Sequence, residues 1–233
     1  KPLIFTNNDS GYETAIEFKK NGVNPLILDT RKEPSSDIIS EAKNLGIEIK
    51  FSHVVVAAKG YKKVKSADIA KISDNKKDLS NIENIECDCI CVSGFWTPSI
   101  HLASQSGNKS EFNEKIDAFI PKKSKQNENT IGSANGKFTL EETINEAFDK
   151  GYEVSNKITE NNNKVSIPTV VEKKSTEHDK FWCVPLPKGK SYKRFLDFQN
   201  DVAVTDIELA LREGFRSIEH VKRYTTLGMA TDQ

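Results

Sequence analysis

The sequence predicts an α/β fold built on a parallel sheet, and three observations predict it. Residues 1–51 alternate short apolar runs with amphipathic stretches. Each amphipathic stretch ends at a glycine, Gly22 or Gly46, as helices commonly do. The connections between stretches are short. Strand, helix, strand, helix, strand is the pattern of parallel strands joined by crossover helices.

Residues 2–6 form the first apolar run, ending at Thr6-Asn7-Asn8-Asp9-Ser10-Gly11. A helix follows with Tyr12, Ala15, Ile16 and Phe18 as its apolar stripe, closed by Asn21-Gly22. Pro25 to Leu28 reads as a second strand ending at Asp29. Pro34-Ser35-Ser36 signals a helix start, and Ile38, Ile39, Ala42 and Leu45 make the stripe that Gly46 stops. Ile47 to Phe51 alternates as a third strand.

Beyond residue 51 the style changes. His53–Ala58 and Tyr61–Ile72 read as antiparallel strands around Gly60, with Lys59, Lys62, Lys63 and Lys65 as a solvated face. Asp74 to Asn84 is polar and reads as a loop, and Ile85 to Val92 reads as one buried strand. A helix is expected near Pro98, because proline suits a first helical turn. Lys122 to Thr130 is a polar loop. A strand end at Ile131 leads into the turn Gly132 to Gly136 and a helix from about Thr139 to Ile158. Residues 159–180 carry too little apolar surface to offset chain entropy and read as a linker. Phe181 to Pro185 is expected as a short strand, residues 195–198 as another. Two closing helices are expected, capped by Thr205 and by Ser217 and split at Gly214.

Composition excludes several classes. The chain has 233 residues and a formal net charge of +0, so no global field draws it to nucleic acid or anionic membrane. No run of eighteen apolar residues exists to span a bilayer. The opening Lys1-Pro2-Leu3-Ile4-Phe5 lacks the parts of a signal peptide and an initiator Met. The expectation is a cytoplasmic protein whose coding sequence continues upstream. Cys87, Cys89 and Cys91 alternate along an apolar run, so they should share one strand face as buried thiols. Neither their spacing nor the scattered His53, His101, His178 and His220 suits a metal site.

Two turns are candidates for anion binding. Asn7 to Gly11 sits where a Rossmann fold places its phosphate loop, but Gly11 is its only glycine and Asp9 would repel a pyrophosphate. Asp29, where an acidic residue would grip a ribose, then reads as a turn residue. The second candidate is Gly132, Ser133 and Ala134, with Thr139 and Leu140 opening the helix behind them. In disulfide-reductase-type flavoproteins the chain returns to its first nucleotide domain through a similar strand, turn and helix. The closing helix pair offers a further reading, a free-standing interaction or DNA-binding protein with Arg212, Arg216, Lys222 and Arg223 toward phosphates. Glu208, Glu213 and Glu219 interleave with those cations and argue against it.

Asp197-Phe198-Gln199-Asn200-Asp201-Val202, Asp206-Ile207-Glu208-Leu209-Ala210, Arg212-Glu213-Gly214-Phe215-Arg216-Ser217 and the run from Glu219 to Gln233 resemble the alpha subunit of heterotetrameric sarcosine oxidases. Thr6 to Ser10, Val92-Ser93-Gly94, Trp96 to Leu102 and Gly132 to Gly136 agree in the same order, with Phe95 where that family usually has glycine. The resemblance implies an internal piece of a flavoenzyme that demethylates sarcosine oxidatively, inactive on its own. Glycine, hydrogen peroxide and, with tetrahydrofolate, methylene-tetrahydrofolate are the products. It implies NAD on the alpha subunit, FAD and FMN in the whole complex, and beta, gamma and delta subunits as partners. It also implies a Rossmann-like, disulfide-reductase-type fold. Residues 1–92 would form a second Rossmann-like unit and 93–158 a return segment completing the first dinucleotide-binding domain. Residues 159–192 would be a linker. Residues 193–233 would be a small helical remnant of a ferredoxin-like domain, without a cluster because its cysteines are missing.

Overall fold

The structure is a computed structural model describing residues 1–124, 126–159, 166–167, 169–170 and 178–229. Its first unit is the parallel arrangement that the apolar alternation predicts. Strands β1 (Pro2–Thr6), β2 (Leu26–Asp29) and β3 (Glu48–Phe51) are joined by α1 (Ser10–Lys20) and α2 (Asp37–Asn44). β1 pairs parallel with β2, Leu3 opposite Leu26, and β2 pairs parallel with β3. β4 (His53–Gly60), β5 (Val64–Ile72) and β6 (Leu79–Glu86) then form an antiparallel meander. The chain rejoins the first sheet as β7 (Cys89–Ser93), parallel to the other side of β1. The sheet order is therefore β3-β2-β1-β7, a Rossmann-like α/β arrangement.

Two cores sandwich this sheet because successive strand side chains face opposite ways. Ile4 and Ile27 pack with Tyr12, Ala15, Ile16, Ile39 and Ala42 of the helices. Leu3, Leu26 and Leu28 pack with Ala67 and Ile69 of the meander. Gly11 lets α1 come close: a Cβ there would lie 2.7 Å from the Cβ of Thr6.

Several sequence expectations are corrected. Asp74–Asn84 is not wholly a loop, since β6 begins at Leu79. This outer strand is mostly exposed, so backbone pairing forms it without an apolar pattern. Ile85 to Val92 is not one buried strand: the meander ends at Glu86, and a new parallel strand starts at Cys89. That break separates the cysteines. Buried Cys87 packs with Leu3 and Leu28, Cys91 packs on the helix side, and Cys89 is exposed. Cys89 and Cys91 alone share a face, their sulfurs 3.7 Å apart, and burial pushes the Cys87 and Cys91 thiols up.

The helix expected near Pro98 starts at His101 and is short (α3, His101–Gln105). An unpredicted hairpin follows, β8 (Ser110–Asn113) with β9 (Ala118–Pro121). No strand contains Ile131, although its backbone is extended. A 3-10 turn spans Gly132–Asn135, ended by Gly136 at φ 76°, and leads to α4 (Leu140–Thr159). Phe181–Pro185 pairs with no strand. Residues 160–165, 168 and 171–177 of the expected linker, and Ala230 to Gln233, lie outside the described residues.

The closing part pairs β10 (Phe195–Asp197) with β11 (Val202–Ala203) and packs α5 (Val204–Arg212) on α6 (Ile218–Thr225). Thr205 does not cap α5. The helix starts one residue earlier, and the Asp206 carboxylate accepts a hydrogen bond from the Ala203 amide at 2.8 Å. No helix among the described residues is long and apolar enough to cross a membrane.

Candidate functional site

Open α/β sheets bind ligands beyond the carboxyl ends of their strands, where the strand order reverses. Here that place lies beyond the ends of β1 and β7, with β2 alongside. Thr6, Asn7, Asn8, Asp29, Thr30, Arg31 and Ser93 are the residues that the strands deliver there.

The crevice is filled by its own polar groups. Asp29 is fully buried and accepts from the Tyr12 hydroxyl at 2.7 Å, from Arg31 Nη2 at 2.8 Å and from the Arg31 amide at 2.9 Å. Arg31 Nη1 also donates to Asp9 at 2.8 Å. Burial and the Asp29 charge raise the Tyr12 hydroxyl far above its ordinary range. Burial works against the Arg31 charge, but the two carboxylates outweigh it and hold the guanidinium protonated. Asp29 is therefore a buried hub and not a simple turn residue. Its oxygens are already engaged where a ribose would need them. The β1–α1 turn is closed as well. Asn8 Oδ1 accepts from the Ser10 amide at 2.9 Å and its hydroxyl at 2.7 Å, and Asn8 Nδ2 donates to the Ser93 carbonyl at 3.2 Å. Sequence reasoning placed Asp9 and Asp29 but missed Arg31, whose signal was one cation just past the end of the second strand.

A distant segment completes the closure. Asn7 Nδ2 donates to the Asp179 carbonyl at 2.8 Å, and the Asp179 amide donates to the Asn7 carbonyl at 2.8 Å. Thr30 Oγ1 donates to Asp179 Oδ2 at 2.9 Å, and Lys76 Nζ donates to Asp179 Oδ1. Phe181 and Val184 pack against Val54, Ala70 and Ile72 of the meander, and the His178 ring stacks on Phe95. His178 to Val184, expected within a linker, thus lies across the sheet edge.

Gly132, Ser133 and Ala134 of the second candidate turn do not line this crevice. The Gly132 amide donates to Glu146 Oε2 at 2.7 Å and Asn135 Nδ2 to Glu146 Oε1 at 2.6 Å, so an α4 carboxylate sits at the turn. Ser133 is exposed and Ala134 half-buried. Thr139 Oγ1 accepts from the Glu142 amide at 3.2 Å, capping α4, while Leu140 is exposed. The Gly132 turn is thus tied to α4 through Glu146, while Thr139 and Leu140 stand at the start of that helix. Among the described residues no group of three or more His, Cys, Asp or Glu side chains is arranged to hold a metal.

The comparisons with known proteins bear on the chain as a whole. Residues 191–233 match the model of the sarcosine oxidase A3 domain. The chain is 31% identical over 234 residues to a sarcosine oxidase subunit alpha of Rhizobium meliloti (strain 1021), covering 100% of the chain and 22% of that relative. It is 28% identical over 246 residues to a subunit alpha of Corynebacterium sp. (strain U-96), covering 100% of the chain and 24% of that relative. The chain thus spans under a quarter of the curated relatives' length. Among solved structures, a T. acidophilum thioredoxin reductase aligns at TM-score 0.46 and 16% identity, over 61% of this chain and 47% of that one. A bacillithiol disulfide reductase from Staphylococcus aureus aligns at TM-score 0.41 and 17% identity, over 59% of this chain and 47% of that one. The resemblance read in the sequence extends along the whole chain. The tail's match leaves the DNA-binding reading of the closing helix pair without support.

Proposed function

We propose that this chain, homologous along its full length to sarcosine oxidase alpha subunits, works as part of such a subunit in an enzyme that oxidatively demethylates sarcosine. The observation that carries the reading is the similarity of this whole chain to part of the R. meliloti subunit, joined to the A3 domain match at residues 191–233. The whole enzyme would pair this subunit with beta, gamma and delta subunits, bind FAD and FMN, and pass the methyl carbon to tetrahydrofolate. Flavin would supply the oxidation, and the residues of this chain would hold and orient. The test is assembly of the full-length subunit with its partners, followed by an assay of peroxide release. Sarcosine-dependent peroxide is the expected result; an assembled complex that releases none would overturn the reading.

Within that subunit, the chain's contribution would be to NAD binding and to scaffolding. The crevice at β1, β2 and β7 fits a dinucleotide poorly, because Asp29 is saturated and Asp9 and Asp179 bring negative charge. The Gly132 turn fits better. Its small residues allow a close backbone approach, and its Gly132 amide is a donor suited to an anion once Glu146 turns away. Gly132, Ser133 and Ala134, with the start of α4 at Thr139 and Leu140, would then border the cofactor. Ala134→Trp in the full-length subunit should weaken NAD roughly tenfold to hundredfold, the equivalent of one lost charge-assisted hydrogen bond. Calorimetric titration beside the unmodified subunit checks this, and equal affinity in a folded variant would remove the turn from the site.

A further inference from the structure

Asp179 occupies the sheet crevice as an anion, not as an apolar plug. Its carboxylate is taken by Lys76 from the turn between β5 and β6 and by Thr30 from the end of β2. Its backbone is clamped on both sides by Asn7 from the end of β1. The partners come from three separate elements, and Thr30 and Asn7 are buried. Lys76 itself sits in the left-handed backbone region at φ 58°, a conformation that costs a lysine some strain. Two cavities flank the contact and share Thr30. One, of about 360 Å³, is lined by Arg31, Ser52, Ser73 and Lys76; the other, of about 270 Å³, by Phe5, Ser93 and Trp182.

From this placement we infer that the crevice is an anion site for a phosphoryl group, kept shut by the chain's own Asp179. A carboxylate and a phosphoryl group both offer oxygens in the plane or tetrahedron that an ammonium and a hydroxyl can share. The position lies beside the strand-order reversal, where folds of this kind receive their ligands. With the carboxylate in place, both donors already hold an anion and a second one meets like charge. With it removed, Lys76 and Thr30 face a crevice with room on either side. The strap carrying Asp179 forms no strand and is held to the meander by Phe181 and Val184, so the site opens by removal of the carboxylate and not of the strap. This inference is independent of the sarcosine oxidase reading.

The experiment uses the full chain and inorganic pyrophosphate as the probe, followed by calorimetry. Unmodified protein should take up no pyrophosphate at millimolar concentration. Asp179→Ala should bind it at least about tenfold more tightly than the unmodified chain. The gain should disappear in Asp179→Ala combined with Lys76→Ala. Asp179→Asn, which keeps the backbone clamp to Asn7 and removes only the charge, should show a gain of the same sign and decides the matter if the alanine variant does not fold. Adenosine diphosphate beside pyrophosphate separates the two sources of the anion: tighter binding of the nucleotide assigns the flanking cavities to the nucleoside, and equal binding assigns the site to the anion alone. Pyrophosphate bound equally by the unmodified chain, or by neither Asp179 variant, overturns the inference.

Discussion

The parallel unit over residues 1–93 and the turn-helix region over 132–159 are built from similar local material but finish differently. Each has a helix with an apolar stripe behind a short turn. In the first, α1 and α2 bury Tyr12, Ala15, Ile16, Ile39 and Ala42 against the sheet. In the second, α4 runs for 20 residues with none of them buried. The difference teaches that amphipathicity states what a helix needs, whereas a neighbouring sheet decides whether it is met. Buried polar groups follow the same division: Asp29 has no exposure, while the Glu146 contact at the Gly132 turn stays partly open.

The largest effect should come from the buried hub. Asp29→Ala leaves the Arg31 charge and the Tyr12 hydroxyl without their main partner. It should cost about 3–5 kcal/mol of stability. Denaturant unfolding followed by circular dichroism measures it, and a loss no larger than that of a surface substitution would break the comparison on the first unit's side. Next comes a matched pair. Ile27→Ala empties fully buried volume and should cost about 2–5 kcal/mol, whereas Phe148→Ala on α4 should cost under about 1 kcal/mol in this chain. Comparable losses at the two positions would mean that α4 is as well packed as the sheet helices.

A smaller effect tests the close approach of α1. Gly11→Ala places a Cβ 2.7 Å from the Cβ of Thr6. The helix preference for alanine returns up to about 1 kcal/mol, and overpacking costs about 1–3 kcal/mol, so a net loss is expected. A rise in melting temperature would show that the contact relaxes freely.

The smallest effect is a pH dependence in the tail. The Asn200 side chain, then the backbone amides of Gly228 and Asn200, hold the Asp197 carboxyl down at about 2. Because its folded value lies below the ordinary 3.8, its contribution is present above that value and is lost as pH falls toward about 2. The carboxyl resonance of Asp197 should titrate near the lower value, and the Gly228 amide should shift with it. Titration of Asp197 at the ordinary aspartate position would detach the tail from this anchor.

Much of the fold was legible because its signals are local. The stripe of Tyr12, Ala15 and Ile16 and the run Leu26-Ile27-Leu28 carry their period in adjacent residues. β6 was missed for the opposite reason. It is an exposed outer strand held by backbone pairing, which leaves no mark on side-chain choice. Cys87 was grouped with Cys89 and Cys91 because alternation assumes an unbroken strand, and the chain changes sheets between them. At the candidate turn, the sequence placed Gly132 to Gly136 ahead of the helix that Thr139 caps. It could not foresee that Glu146 would sit on the Gly132 amide.

By itself, the sequence determined the order of elements over residues 1–51, the parallel direction of the first three strands, and the resemblance that the similarity along the whole chain bears out. Those rest on interactions between near neighbours, whose geometry a repeating pattern encodes. Only the tertiary structure decided that Asp29 is a hub, that Arg31 joins it to Asp9, and that Asp179 closes the crevice from 149 residues beyond Thr30. A buried charge is stable only beside a partner, and in this chain the partners meet through the packing of the sheet and not through their spacing in sequence.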